Sequence, residues 1–291
     1  MIELTEAIAR KVRDTVDAGL VLGRGKQVAG QMCVEAAVCF ALGLPHSDHP
    51  PCVGAAVRSY KIKINDANWS SRAARARGMR RVAIAQLGSD AIDQRAFADY
   101  VCIEGVKRIL PIALRAVAKA VPGHADAILA TIPACEAAVT LDDARQAASA
   151  SRKEAADADA ANAAADAARA VWTRRTAATA YAAAAAAAYG AAAYAAAYAT
   201  VTIAISEDFA YDTNAAYAAA AYAYATDAAT AAAYAAAYTA DVVAIAEDVT
   251  AIAEDARNSV LSLAAEIAVE VLQKLGSKGC EWLYLCDEET T

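Results

Sequence analysis

The sequence predicts an all-α protein in which an N-terminal mixed helical region is continuous with a long-helix bundle rich in alanine and tyrosine. Three observations carry that prediction. Alanine, the strongest helix former, fills most positions from Asp142 to Leu275, and Gly190 is the only glycine between Gly123 and Gly276. Larger residues recur at three- and four-residue steps through Tyr234, Tyr238, Val242, Ile245, Val249, Ile252, Val260, Leu263, Ile267 and Val271, which is the spacing of one helical face. Before Leu141, apolar stretches of helical period alternate with Gly, Pro, Asn and Asp punctuation.

The elements follow in order. Glu3 to about Ala18 reads as a helix ended by Gly19, and Gly23, Gly25 and Gly30 make a loop. An apolar helix from Gln31 to Leu42 stops at Gly43 and the turn LPHSDHPP. Val53, Val57, Tyr60 and Ile64 fall at helical spacing, so Cys52 to Ile64 reads as a helix despite the strand-like alternation of Lys61 to Ile64. Ser70 or Ser71 is a suitable N-cap for a helix from Arg72 to Leu87, closed by Gly88. Asp90 begins the next, through Phe97 and Tyr100 toward Val121, with Pro111 bending or breaking it and Gly123 in the following turn.

In the alanine-rich part, Asp212, Thr213 and Asn214 make a turn. A helix from Asp227 to Leu275 would span about 70 Å, too long for a compact domain, so a break is expected at Asn258 and Ser259. Small residues let neighbouring helices approach closely and tyrosines act as wedges that set register. The terminal GCEWLYLC reads as an apolar segment that docks back on the bundle.

Composition and charge divide the chain into residues 1–135, a basic mixed helical region, and residues 136–291, an acidic Ala/Tyr-rich bundle. The first carries 18 Lys+Arg against 12 Asp+Glu and the second 9 against 22, within a total of −7. Either the halves attract each other or they offer opposite faces to different partners. Seven cysteines without a disulfide-scaffold spacing, and the charged amphipathic start MIELTEAIARKVRD, imply a reducing, cytoplasmic setting. The uncharged run from Thr176 to Ser206 is long enough for a bilayer, but its Ala, Thr and Tyr lack the Leu, Ile and Phe density that drives insertion, so no membrane span is expected.

Three segments carry candidate chemistry. MCVEAAVCFALGLPHSDHPPC holds Cys33, Cys39, His46, His49 and Cys52, all zinc-ligand types. Cys33 and Cys39, six apart, project from different sides of a helix and no Cys-x-x-Cys knuckle is present, so the plainer reading is buried thiols beside a solvated His turn, with no metal or cofactor. A thiol enzyme centred on Cys33 is the alternative, its thiolate favoured by a helix N-terminus, although none of His46, His49 and His124 sits in a base motif.

The second segment, Arg58 to Arg81, has eight cations against Asp66 alone, interleaved with Tyr60 and Trp69. Guanidinium forks for phosphate and an aromatic face for a base are what a nucleotide site needs, which nominates Arg58, Lys61, Lys63, Trp69, Arg72, Arg75, Arg80 and Arg81 as ligand-binding residues. Extended nucleic acid is a weaker match than a small anionic nucleotide. The plainer reading is a solvated helix face, or pairing with the acidic half. In the third segment, Thr176 to Ala256, nine carboxylates and ten tyrosines stand without a Lys or Arg. Acidic surface with aromatic anchors suits the inhibitor of a basic protein effector, and the plainer reading is core wedges with a solvated face.

The stretch from Tyr100 through Trp172 includes VCIEGVKRILPIAL, a Pro-Gly-His turn, ILATIPACEAAVTLDDARQAASASRKEA and ADAANAAADAARAVW, with Cys102, Leu110, Pro111, Leu141 and the Ala144-Arg145 pair in matching places. In these features it resembles an alanine-rich bacterial immunity-protein family. The block from GQMCVEAAVCFALGLPH to NDANWSS and RRVAIAQLGSD is similar to phage and bacterial proteins with alanine-tyrosine tails. The resemblance implies a protective or neutralising role in conflict between bacteria, toxins and phages. The expected function is therefore a non-catalytic binding protein that neutralises a toxin or defence effector. The alternatives are a homo-oligomeric sponge for an anionic nucleotide signal, and a thiol or zinc enzyme centred on Cys33.

Overall fold

The computed structural model describes residues 3–67, 69–120, 122–144, 146–151, 153–154 and 246–287. These are helical with no β-sheet among them, an all-α fold. They fall into two compact units. One takes residues 3–102 and 261–287, the other residues 103–154 and 246–260. The boundaries between the units fall after Cys102 and after Val260, so residues 261–287 belong with the N-terminal helices. The expected turn at Asp212 to Asn214 and the tyrosines of the seam lie outside the described residues.

Local caps set where each helix begins. Helix α1 (Glu6–Asp17) starts three residues later than its charge pattern suggests, because extended Thr5 caps it, its hydroxyl accepting from the Ile8 amide at 3.4 Å. Helix α2 (Val34–Ala41) also starts three residues late: Met32 is held in bridges to Leu20 and Gly25, and Cys33 becomes the cap, with Sγ accepting from the Ala36 amide. Helix α3 spans Ala55–Asn65, so the alternation at Lys61 to Ile64 is helical. Helix α4 (Arg72–Ala85) is capped by Ser71, whose Oγ accepts from the Ala74 amide at 3.0 Å.

Asp90 does not open a long helix. It lies in a 3-10 turn, Ser89–Ala91. Asp93 caps helix α5 (Gln94–Arg108), its Oδ1 accepting from the Arg95 and Ala96 amides. Pro111 has no amide to continue the α5 ladder, and the chain restarts as α6 (Leu110–Ala120). The Pro122–His124 turn then leads to α7 (Ala125–Ala130) and α8 (Ile132–Glu136).

Helix α9 (Ala246–Lys274) runs without interruption through Asn258 and Ser259, against the expected break. Each of these two residues costs only a few tenths of a kcal/mol in a helix. Burial downstream outweighs that: Val260, Leu261, Ala264, Ala265, Ile267, Ala268, Val269, Val271 and Leu272 are all inside. They form a broad arc that contains Val260, Ile267 and Val271 of the expected seam, while Glu270, Gln273 and Lys274 stay exposed, and the alanines allow close approach.

In the first unit α1 packs on α4 and α2, and α2 on α3. Tyr60 stands at the middle, edge-on to Phe97 at 5.9 Å, its hydroxyl donating to the Ala264 carbonyl at 2.9 Å. The C-terminal 3-10 helix, Lys278–Cys286, docks on α4 and α1. Ser277 Oγ donates to the Ala85 carbonyl and the Gly279 amide to Leu87. A Cβ at Gly279 would lie 2.0 Å from the Ile84 carbonyl oxygen, so only glycine permits this approach. Trp282, Leu283 and Leu285 fill the contact.

The second unit has its own core, in which Ile103, Val106, Leu110 and Leu114 meet Ile128, Ile132, Cys135, Ala144 and Ala148. Ser151 Oγ lies within hydrogen-bond distance of both the Ala147 carbonyl, at 2.9 Å, and the Thr131 hydroxyl, at 3.1 Å, so its buried polar atom has partners. Thr140 and Asp143 cap the turn before residue 141 reciprocally.

Candidate interaction face

The best-defined irregular feature of the first unit is the loop of residues 19–33, between α1 and α2. Its two ends are buried at Leu20 and Met32 and tied by the Val21 amide to the Met32 carbonyl at 3.0 Å. Inside, the Lys26 amide donates to Gln31 and the Gln31 amide to Val28. Gly25 turns at φ +68°, and a Cβ there would lie 2.0 Å from the Gln31 carbonyl oxygen, so this turn requires glycine.

The surroundings hold the loop from several sides. The Gly23 amide donates to Asp66 Oδ1 at 2.9 Å, Asn65 Nδ2 donates to the Val21 carbonyl at 3.0 Å, and His46 Nε2 lies 3.1 Å from the Gly25 carbonyl. Arg75, buried on α4, donates Nε to the Asn65 carbonyl at 2.7 Å, Nη1 to Leu20 at 3.2 Å and Nη2 to Ala67 at 3.4 Å. One guanidinium thus joins the loop base to the end of α3. Beneath the loop is a small cleft of about 80 Å³ lined by Gly23, Arg24, Cys33, Asp48, Asn65 and Asp66 among others.

The rim of this loop is apolar and cationic. Leu22 is 63% exposed and Val28 51%, and between them Arg24 and Lys26 stand in solvent. Leu22 and Val28 are thus exposed aliphatic side chains on a loop tethered at both ends. The sequence reading passed over them because it read the glycines as punctuation. The signal was in GLVLGRGKQVAG, where large aliphatic residues sit between turn-forming glycines.

The eight residues nominated for an anionic ligand are not brought together. Lys61 is wholly buried, its Nζ 2.6 Å from Oε1 of equally buried Glu35, while Glu35 Oε2 has no hydrogen-bond partner. Burial pushes the Glu35 carboxyl up and the Lys61 amine down, with the mutual attraction opposing both. Trp69 is 5% exposed and donates its indole N–H to the Ile64 carbonyl, so its face is no stacking platform. Its ring lies over Gly78 of α4, where a Cβ would come within 2.2 Å.

Arg75 has the three carbonyls above. Arg80 forms a fork with Asp17 and reaches the Cys286 carbonyl; Arg81 meets Glu266 at 3.1 Å and Asp287 at 3.7 Å. Arg58 is half-buried, and only Lys63 and Arg72 are fully in solvent. Part of the tract therefore pairs as the charge asymmetry anticipated, through Glu266 and Asp287. Glu35 is the partner that sequence reasoning missed, although a lone carboxylate in the apolar run CVEAAVCF was its signal.

The cysteine and histidine residues are placed as separate structural groups. Cys33 caps α2, and burial raises its thiol above the ordinary value despite the Ala36 amide, the opposite of the lowering expected at a helix N-terminus. Desolvation overrides the terminus because Cys33 is only 4% exposed and Glu35 and Asp66 add negative charge nearby. Burial likewise raises the other cysteines, Cys39 to about 11, Cys102 to about 12 and Cys280 to about 11. His49 Nδ1 sits 2.6 Å from Asp48. No group of three or more His, Cys, Asp or Glu among the described residues is arranged to hold a metal.

No helix among the described residues is long and apolar enough to cross a membrane. The run Thr176 to Ser206 and most of the acidic segment lie outside them. In comparisons with protein-family models, curated proteins and solved structures, the chain matches none.

Proposed function

We propose that this chain is a non-catalytic binding protein that neutralises a protein effector by covering its surface, as an immunity or anti-defence protein does. The observation that supports this reading is the pre-ordered loop of residues 19–33, with Leu22 and Val28 exposed beside Arg24 and Lys26. A loop already fixed by Arg75, Asn65 and Asp66 loses little conformational freedom when it binds. Exposed aliphatic side chains flanked by charge are the composition of a protein contact, with apolar anchors and a polar rim. The immunity-family resemblance of Tyr100 to Trp172 points the same way.

Two further arrangements weigh against the alternatives. A nucleotide sponge would need Lys61, Trp69, Arg75 and Arg80, which are buried or half-buried in internal contacts, and Arg81, which is paired with Glu266 at the surface. A thiol enzyme would need a thiolate at Cys33, where burial favours the thiol.

Co-expression tests the reading. The chain is expressed in bacteria beside a panel of toxin domains and phage-defence effectors, with growth as readout. Protection against at least one effector, lost in the Leu22→Asp/Val28→Asp variant, is expected. Absence of protection across the panel, with tight calorimetric binding of a nucleotide that is abolished by Lys63→Glu/Arg72→Glu, would replace it with the sponge.

A further inference from the structure

We infer that the loop of residues 19–33 docks an acidic protein segment, one that sets carboxylates against Arg24 and Lys26 and apolar side chains against Leu22 and Val28. The inference rests on the binding reading above and adds the chemistry of the partner. The loop GLVLGRGKQVAGQMC holds two cations and no carboxylate. Among the described residues Arg24 and Lys26 take part in no ion pair, and neither do Lys63 and Arg72, exposed near the ends of the two helices that hold the loop.

Of the nearby carboxylates, Asp66 is turned to an internal contact, accepting from the Gly23 amide and from Asn65 Nδ2 at 2.8 Å. Asp48 lies at the surface against His49 and offsets part of the Arg24 charge, leaving Lys26, Lys63 and Arg72 without a carboxylate partner among the described residues. The face is thus cationic with two aliphatic projections, and its complement is anionic with apolar side chains.

The same details choose protein over nucleic acid. Single-stranded nucleic acid is held by aromatic platforms as well as cations. The loop contains no aromatic residue, and Trp69, the aromatic residue of the basic tract with an indole, is buried under an internal hydrogen bond. Leu22 and Val28 would face a phosphate backbone with nothing to pack on, whereas a protein segment buries them.

A random peptide library displayed on phage, panned on the immobilised full-length chain, tests this. Enriched peptides are expected to combine Asp and Glu with Leu, Phe or Trp. Their affinity, read by fluorescence anisotropy, should fall about tenfold or more on Arg24→Glu/Lys26→Glu and on raising salt from about 0.05 to about 0.5 M. The remote control Lys278→Glu should leave it unchanged. Arg24 and Lys26 are exposed, so the double variant should keep the wild-type thermal midpoint, which is measured alongside.

The inference is overturned if no peptide is enriched, if enriched peptides bind the loop variants equally, or if a labelled oligonucleotide binds with the Arg24 and Lys26 dependence instead. Failure of the peptide experiment with effector protection intact would remove the acidic-partner assignment alone. Loss of effector protection would remove the binding reading itself.

Discussion

Lys61 Nζ lies 2.6 Å from Glu35 Oε1 with both side chains wholly out of solvent, a single ion pair between α3 and α2 in the core of the first unit. Such a pair is weak as a source of stability, since the desolvation of each ion offsets most of their attraction, but breaking it leaves one charge stranded. Glu35→Gln should therefore destabilise the protein by about 3–5 kcal/mol. Glu35→Met/Lys61→Met should be as stable as wild type or more so. Urea unfolding of the three proteins checks both; a double variant as unstable as Glu35→Gln would show that the pair is a net stabiliser.

The same pair predicts a pH signature. The Glu35 pKa is raised in the fold, so its contribution is present below the ordinary carboxyl value near 4.5 and is lost as pH rises through the raised value. The Lys61 pKa is depressed, so its contribution is present above the ordinary 10.5 and is lost as pH falls through the depressed value. In the Lys61→Met variant, where Glu35 titrates without its partner, stability read by urea unfolding should fall as pH rises above the ordinary carboxyl value. Stability that rises with pH there would contradict the Glu35 shift.

Arg75 is expected to act as a structural clasp. Its removal in Arg75→Ala strips donors from the Leu20, Asn65 and Ala67 carbonyls, and a hydrogen bond from a charged group is worth about 1.5–3 kcal/mol. Thermal unfolding should show a loss of that order, and amide exchange at Val21, Lys26 and Gln31 should quicken more than exchange in α1. Arg75→Lys should recover only part, because one ammonium cannot reproduce the planar fork. Unchanged exchange in the loop would separate Arg75 from its ordering.

Thiol reactivity follows from burial. Iodoacetamide at neutral pH should leave Cys33 unmodified in the native protein, while denaturant should open all seven cysteines to labelling. Peptide mass analysis reads this directly. Rapid native labelling of Cys33 would restore the thiol-enzyme alternative.

How far the sequence could be read depended on whether the deciding contact was local. Helix identities were legible because Gly19, Gly43, Gly88 and Pro111 end or break helices through their own backbone chemistry. Helix starts were displaced where a cap outranked the pattern. Asp93 rather than Asp90 holds the free amides of α5, and Cys33 takes a cap position usually given to Ser or Asp. Asn258 and Ser259 looked like a break because propensity is visible in sequence, whereas the burial of Val260 through Leu272 is not.

The candidate site was less legible for a related reason. Net charge along Arg58 to Arg81 is a one-dimensional quantity, but the fate of Lys61, Arg75, Arg80 and Arg81 was set by partners far away in sequence. Glu35 for Lys61, Leu20 for Arg75, Asp17 for Arg80 and Glu266 for Arg81 turned the tract into internal ties. The residues left outward, Arg24 and Lys26 with Leu22 and Val28, carry no local motif beyond the glycines that shape their loop.

The most direct test of the binding account is a titration of purified chain into the effector against which it protects, with effector activity and complex mass read together. The account predicts activity falling in proportion to a complex of fixed stoichiometry, and a folded Leu22→Asp/Val28→Asp variant that forms no complex and leaves the effector active. A loop variant that inhibits as well as wild type, or inhibition without a complex, would contradict it.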